Sequence, residues 1–271
     1  MRWATIRTGD GTRAVRIEGD ALIELDARDV GALLALGGDA RETGVEHDAA
    51  TADYAPVVTH PGKIVCQGLN YRSHILEMGH GLPEHPTLFA KFREVLVGAH
   101  DDIVLPPESD SVDWEAELAL VIGTTVRRAS EAEAAAAIAG FTVANDVSMR
   151  DWQYRTLEWL QGKTWEHSTP VGPWLVTPDE VGGTAPDLAI TCEVDGVVRQ
   201  ASRTSELVFS PVDLVAYVSE FVTLEPGDLL LTGTPAGVGH GMEPPVYLAP
   251  GQVVRTTIEG IGELRTPCVA G

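Results

Sequence analysis

The chain has 271 residues, of which 44% are hydrophobic, and it carries a formal net charge of −21 at pH 7. An apolar fraction of this size supports a sizeable core, so the sequence predicts a folded globular protein. The strongly negative charge repels phosphate backbones and anionic lipids, which argues against nucleic-acid and membrane-surface partners.

Targeting and redox signals are sparse in this sequence. No apolar run approaches the roughly 18 residues that cross a bilayer, and the N-terminal stretch MRWATIRTGDG lacks the apolar segment of a signal peptide. The three cysteines, Cys66, Cys192 and Cys268, have no CxxC spacing, which indicates neither a disulfide framework nor a thiolate metal site. We therefore expect a cytoplasmic protein whose cysteines are free and buried.

Residues 1–58 are expected to form a small N-terminal β domain and a linker. Glycine–aspartate turns separate three short strand-like runs, at Arg2 to Arg7, Thr12 to Ile17 and Ala21 to Leu25. A short helix is predicted to start near Asp26 or Asp29 and to stop at Gly37 and Gly38. Residues 39–55 are acidic, rich in alanine and threonine, and without periodicity, which indicates a linker. Residues 59–271 then form the larger domain.

The larger domain is predicted to be rich in short strands. A capping box at Ser130 to Glu133 opens an alanine-rich helix that should stop at Gly140, and a strand after it ends near Asp146. Asp195 and Gly196 indicate a hairpin turn between two further strands. Because strands outnumber helices and do not alternate with them regularly, the pattern favours a mixed, β-rich α+β fold.

An acidic strand, Val112 to Gly123, carries the first candidate site. Its apolar residues alternate with Asp113, Glu115 and Glu117, which predicts one buried face and one face of carboxylates. Residues two apart on one strand face lie roughly 7 Å from each other, so Glu115 and Glu117 can converge on one ion. Oxygen ligands suit magnesium, calcium or manganese rather than zinc. The alternative interpretation is a solvated acidic face.

Three other positions have the chemistry of a site. His74 and Glu77 have the i, i+3 spacing that places both on one helical face, where a carboxylate makes an imidazole more basic. A solvated surface pair is the alternative. Lys163 stands alone among apolar and small neighbours, so it is either a surface residue or a charge that offsets an enolate. The loop Gly233 to Gly239 lacks a P-loop ending, but its amides and Thr234 can face a carboxylate.

From about Lys63 to the C-terminus the chain resembles the fumarylacetoacetate hydrolase family, of the acylpyruvase type. Five motifs carry the resemblance: NYRSHILEMG, VLVGAHDDIVLPPESDSVDWEAELALVIG, ANDVSMRDWQ, QGKTW with PVGPWLVT, and LLLTGTPAGVG. The resemblance implies a β-roll or mixed-barrel catalytic domain in a homodimer. Met149 and the segment Trp165 to His167 depart from the common family pattern, and both flank the expected pocket.

The resemblance also implies a role for each candidate residue. The ligands of a magnesium-type ion, with manganese or calcium as alternatives, are Glu115, Glu117 and Asp146. His74 and Glu77 form a water-activating dyad, and Lys163 lies beside the substrate enolate. The positions that bind the substrate, a small 2-oxo acid, are Tyr71, Arg150, Gln153, Gly233 and Thr234.

These residues favour one reaction and leave others open. Water activated by His74 and Glu77 would cleave a C–C bond in an acylpyruvate, which makes metal-dependent hydrolysis in aromatic catabolism the main hypothesis. Decarboxylation of oxaloacetate and isomerisation of 2-hydroxyhepta-2,4-diene-1,7-dioate are alternatives on the same site. A non-catalytic metabolite-binding protein is the alternative from another class.

Overall fold

The structure is a computed structural model that describes residues 1–77 and 81–271, without the side chains of His74 and Glu77. Its described residues form strands β1 to β18 in chain order: Arg2–Thr8, Gly11–Glu18, Ala21–Leu25, Glu42–Asp48, Ile64–Gly68, Thr87–Lys91, Leu96–Val97, Ile103–Leu105, Val112–Asp113, Ala116–Ile122, Ile138–Asn145, Ser148–Met149, Thr169–Val176, Ala189–Val194, Val197–Arg203, Leu229–Leu231, Val253–Ile258 and Gly262–Ala270. Helices α1 to α6 are Val30–Ala35, Arg72–Glu77, Glu131–Ala137, Arg150–Gln153, Leu160–Lys163 and Pro211–Ser219. The predicted strand-rich α+β class is confirmed.

Two sheets enclose the main core. The larger has the strand order β4-β3-β2-β1-β13-β11-β10-β16-β5-β6, and the smaller has the order β15-β14-β17-β18-β8. One cluster of buried side chains joins residues of both sheets, for example Leu118 and Phe141 with Ile190 and Val254. Burial of each such side chain contributes about 1.5–3 kcal/mol to the stability of the folded state. The sheets therefore pack face to face and hold β10 and β11 at the centre.

The N-terminal strands continue the larger sheet, because β1 pairs with β13 and places Trp3 opposite Leu175. The three predicted strands and the helix are confirmed, and Asp29 caps α1 by accepting a hydrogen bond from the Ala32 amide at 2.7 Å. The predicted linker is wrong for Glu42–Asp48, which is an edge strand paired with β3. Most of its residues are exposed, so no alternating pattern shows it in the sequence. The domain division at residue 58 stays a prediction.

The acidic strand differs from its predicted form in one respect. It breaks into β9 and β10, and β10 lies between β11 and β16 with every residue buried. Asp113, Glu115 and Glu117 are therefore buried instead of facing solvent, and the interpretation as a solvated acidic face is wrong. Charged groups at such depth need partners, since desolvation of an unpaired carboxylate is costly.

The capping box and the cysteines agree with the predictions from the sequence, and the end of α3 differs. The capping box at Ser130 is present, but α3 ends at Ala137 and the chain enters β11 before Gly140. The three cysteines are free and buried. Among the described residues, no helix is long and apolar enough to cross a membrane.

Candidate active site

Three buried carboxylates meet where β10 and β11 run side by side. Ala116 pairs with Asn145, so the residues beyond this pair, Glu115 and Asp146, come together, and the Asp146 amide donates to the Glu115 carbonyl at 2.8 Å. Glu117 joins them from β10, and one oxygen from each of the three carboxylates lies within 4.8 Å of the others. The antiparallel register therefore assembles the three predicted metal ligands.

Two buried lysines face these carboxylates. The Lys163 Nζ donates to Glu115 Oε2 at 2.7 Å and to Asp146 Oδ2 at 2.8 Å. The Lys91 Nζ donates to the other oxygen of Asp146, and its side chain is also buried. Sequence reasoning missed Lys91, whose only signal is a lysine at the end of the apolar run LFAK in β6.

The pKa values of Glu117 and Asp146 move in opposite directions. Burial raises the pKa of Glu117 well above its ordinary value, and the charges of Asp146 and Glu115 raise it further. Burial also disfavours the charge of Asp146, but Lys163 and Lys91 outweigh it and lower the pKa to about 2. Without a further cation, the site therefore holds Asp146 ionised and favours a proton on Glu117.

Arg150 connects the carboxylates to the glycine-rich loop. Its Nη1 lies 2.6 Å from Glu115 and its Nε donates to Asp113 at 2.8 Å. Asp113 also accepts hydrogen bonds from the amides of Gly239 at 2.7 Å and His240 at 3.0 Å. Asp113 therefore fixes both Arg150 and the loop, a role that the sequence did not indicate because its partners are distant along the chain.

The donor set fits a hard divalent cation. All three groups are carboxylates, and 4.8 Å is about the span of two oxygens on opposite sides of a calcium-sized ion. The Gly233 amide orients Glu117 by donating to its Oε2 at 2.7 Å. The negative charges of the three carboxylates are nearly balanced by Lys91, Lys163 and Arg150. A divalent cation would add further positive charge, so its binding would compete with the proton on Glu117.

A cavity of about 300 Å³ opens onto this cluster. It has aromatic walls, in which the Phe89 ring packs against the Trp159 ring at 5.8 Å between centroids. Thirteen residues line it: Gln67, Gly68, Leu69, Phe89, Glu115, Glu117, Arg150, Gln153, Tyr154, Trp159, Lys163, Thr234 and His240. Sequence reasoning did not single out Gln67, the aromatic residues or His240.

The predicted substrate-binding residues lie in different surroundings. Gln153 accepts a hydrogen bond from Arg150 at 2.8 Å, and Thr234 accepts one from Gln200 at 2.8 Å, both at the cavity wall. Gly233 lies behind Glu117 and has a φ of 97°, which favours glycine. Tyr71 is fully buried and is not part of the cavity lining. These roles stay predictions.

The predicted dyad lies on α2, Arg72–Glu77, which follows β5 along the chain. The side chains of His74 and Glu77 are outside the described part of the structure. Their assignment as a water-activating pair stays a prediction.

Gln67 is a buried glutamine whose carboxamide nitrogen and oxygen have no hydrogen-bond partner in the described residues. We expect Gln67→Met, which keeps the shape and removes two unpaired polar atoms, to leave the melting temperature of the metal-free protein unchanged or higher. Gln200 is equally buried, but its amide bonds to Ala116, Thr234 and Pro235. Gln200→Met should therefore lower stability by about 1–3 kcal/mol. Equal losses in the two variants would contradict this expectation.

Comparison with known proteins identifies related sequences over most of the chain. The model of the fumarylacetoacetate (FAA) hydrolase C-terminal family matches residues 63–269. The mitochondrial oxaloacetate tautomerase FAHD2A of Homo sapiens is 49% identical over 207 residues, which are 76% of this chain and 66% of that protein. The corresponding protein Fahd2a of Rattus norvegicus is 49% identical over 206 residues, with the same two coverages. This chain thus spans 66% of the length of these relatives.

Solved structures with the same fold include two isomerases. The 5-carboxymethyl-2-hydroxymuconate delta-isomerase of Mycobacterium smegmatis superposes with a TM-score of 0.86 at 35% identity, over 100% of both chains. The 2-hydroxyhepta-2,4-diene-1,7-dioate isomerase of Mycobacterium marinum gives 0.84 at 35% identity, over 100% of this chain and 98% of that one. These likenesses confirm the expected family fold.

The comparisons bear on two expectations from the sequence, the cellular location and the reaction. The cytoplasmic location expected from the sequence is contradicted by the relatives, whose names place them in mitochondria. Organelle targeting is carried by address segments outside the folded core, so the composition of the fold does not report it. The relatives are named as tautomerases and isomerases, which supports the alternative reactions better than acylpyruvate hydrolysis.

Proposed function

The chain belongs to the fumarylacetoacetate hydrolase family, and on that premise we propose that it is an enzyme that interconverts the keto and enol forms of a small 2-oxo dicarboxylic acid of the oxaloacetate type. The observation that carries the proposal is the small cavity, which is lined by Glu115, Glu117, Lys163 and Arg150 and lies beside the buried Asp146. The names of the sequence relatives support the same substrate class.

The site supplies what an enolisation requires. A divalent cation held by Glu115, Glu117 and Asp146 would act as a Lewis acid toward the carbonyl of the 2-oxo acid. Burial lowers the pKa of Lys163, but Asp146 and Glu115 outweigh it and raise the pKa, so this residue is a fixed positive charge and not a base. An enolate oxygen beside it gains charge stabilisation in a site of low dielectric.

Arg150 is the group best placed to hold a substrate carboxylate. It lines the cavity, and its Nη2 has no hydrogen-bond partner in the part of the chain that the structure describes. Charges from Glu115 and Asp113 overcome its burial and raise its pKa, so the guanidinium stays charged. The cavity volume of about 300 Å³ is at the lower end for small-molecule sites, which fits a short dicarboxylic acid.

Hydrolysis of an acylpyruvate is the second candidate, because the motif NYRSHILE supplies the predicted dyad of His74 and Glu77. Both reactions begin with polarisation of a 2-oxo acid. They differ in the next step, which is attack of water on a carbonyl carbon in hydrolysis and movement of a proton between carbon and oxygen in tautomerisation. A homodimer and magnesium as the native ion remain proposals that rest on the family resemblance.

A panel of substrates distinguishes these candidates. With saturating Mg²⁺, we expect the protein to accelerate the change in enol absorbance of freshly dissolved oxaloacetate without net loss of oxaloacetate. Pyruvate formation from oxaloacetate reports decarboxylation, acetate release from acetylpyruvate reports hydrolysis, and 2-hydroxyhepta-2,4-diene-1,7-dioate reports isomerisation. Rapid acetylpyruvate cleavage without any acceleration of tautomerisation would refute the proposal in favour of the second candidate.

A further inference from the structure

His240 lies in the wall of the cavity, on a short 3₁₀ turn at Gly239–Gly241. Two backbone amides of this turn donate to the buried Asp113. A Cβ at Gly239 would meet the Val246 carbonyl at 1.9 Å, so the turn packs there without room for a side chain. The position of His240 is therefore fixed by its backbone.

The His240 ring is also held in a defined orientation. Its Nδ1 lies 2.9 Å from the Tyr247 hydroxyl, and the Tyr154 ring packs against it at 5.3 Å between centroids with a tilt of 32°. The ring is half-buried, and within the described residues its Nε2 has no hydrogen-bond partner. One nitrogen is thus anchored by the protein while the other is free to meet a ligand in the cavity.

The surroundings keep the imidazole neutral. Burial lowers the pKa of His240, and the positive charge of Arg150 lowers it further, against a smaller opposing effect of Asp113. The other titratable groups that face the ring are Tyr154 and Tyr247, and burial raises the pKa of the Tyr154 hydroxyl. At pH 7 the ring therefore has an accepting nitrogen, as a base for a carbon-bound proton needs.

We propose that His240 is a catalytic residue that moves the proton between carbon and oxygen in the proposed tautomerisation. With Nδ1–H donating to the Tyr247 hydroxyl, Nε2 carries the free lone pair and takes a proton from the methylene carbon next to the keto group. The electrons of that C–H bond form the C=C bond, and the carbonyl π electrons move to oxygen. The imidazolium then returns the proton to that oxygen, which gives the enol and neutral imidazole with no co-reactant. Arg150 and Lys163 offset the transient negative charge.

This inference rests on the proposed function and is tested first by matched histidine variants. We expect His240→Gln to slow oxaloacetate tautomerisation and the exchange of its methylene protons with D₂O by about 10²- to 10⁴-fold, with unchanged metal content and melting temperature. The control His60→Gln makes the same change at an exposed histidine outside the cavity and should be as active as the unmodified chain. A fully active His240→Gln would overturn the inference.

Tyr247→Phe and an NMR titration separate a catalytic role from a structural one. Loss of the Tyr247 hydroxyl frees Nδ1, so the acid limb of the pH profile of kcat/KM should shift, and the unmodified chain should show that limb below pH 6.5. Malonate, an unreactive dicarboxylate, should raise the pKa of His240 in ¹³C-histidine-labelled protein. An unshifted limb together with no response to malonate would overturn the assignment.

The same measurements distinguish the inference from the proposed function. An unmodified chain that does not tautomerise oxaloacetate would refute the proposed function, and with it the proton transfer by His240. An active unmodified chain whose His240→Gln variant loses nothing would refute the inference alone.

Discussion

Exhaustive treatment with EDTA is expected to abolish turnover, and added Mg²⁺ is expected to restore it. Glu115, Glu117 and Asp146 are buried with their oxygens within 4.8 Å of one another, and a divalent cation held by them would supply the Lewis acid that polarises the carbonyl of the 2-oxo acid. Activity can be followed with the oxaloacetate assay, and metal content by elemental analysis. Full activity after complete chelation would refute the metal requirement.

The same site should make the stability of the metal-free protein depend on pH. The pKa of Glu117 in the folded protein is raised above its ordinary 4.5. As the pH rises between these two values, the unfolded chain loses a proton that the folded chain still binds. The free energy of unfolding should therefore fall over this window. Because a bound cation replaces that proton, the gain in melting temperature with Mg²⁺ should grow as the pH rises.

Glu117→Gln tests the ligand assignment directly. The substitution keeps the shape and hydrogen-bonding capacity of the side chain but removes its charge, so metal content should fall and the pH dependence just described should disappear. Glu259→Gln, at an exposed glutamate, is the matched control and should change neither property. Unaltered metal content in Glu117→Gln would remove this residue from the ligand set.

Lys163→Met is expected to have the second large effect, on turnover and on stability. The ammonium group lies between Glu115 and Asp146 in a buried position, so its removal takes the ion-pair partner from one oxygen of each carboxylate and leaves an excess of buried negative charge. The expected loss of stability is about 3–5 kcal/mol, measured by denaturant unfolding. The expected loss in kcat is about 10²-fold or more, because Lys163 also lines the cavity where the enolate oxygen forms.

Lys91→Met is the comparison that separates these two effects. Lys91 bonds to the same carboxylate, Asp146, but is not part of the cavity lining. Both variants should lose stability, whereas at saturating Mg²⁺ kcat should fall further in Lys163→Met. Equal losses of kcat in the two variants would mean that Lys163 acts only through Asp146.

The sequence predicts the carboxylate cluster well because local signals define it. Alternation places Glu115 and Glu117 on one face, and the family motif adds Asp146 at the end of the neighbouring strand. The depth of the cluster could not be read from alternation, since the polar face of β10 is covered by parts of the chain far away in sequence. The same limit applies to Asp113, which bonds to Arg150 and His240, 37 and 127 residues away in the sequence. It applies also to Lys91, which bonds to a carboxylate 55 residues away.

The reaction was harder to predict than the site. The motif with His74 and Glu77 favours water attack, whereas the relatives are named as a tautomerase and an isomerase. His240 carries no recognisable motif, and only the fold brings its turn to the cavity by way of Asp113. Edge strand β4 was not predicted because it is largely exposed, and an exposed strand shows no alternation of apolar residues in the sequence.

The central position of β10 has a consequence for how the site fluctuates. Its amides bond to β11 on one side and to β16 on the other, in the interior of the larger sheet. Amides of this kind exchange with solvent only when the whole fold opens, whereas the turn at Gly239–Gly241 lies outside any strand. The carboxylates should thus keep their geometry for as long as the domain stays folded. Any slow opening that admits substrate must then come from the loops that surround them.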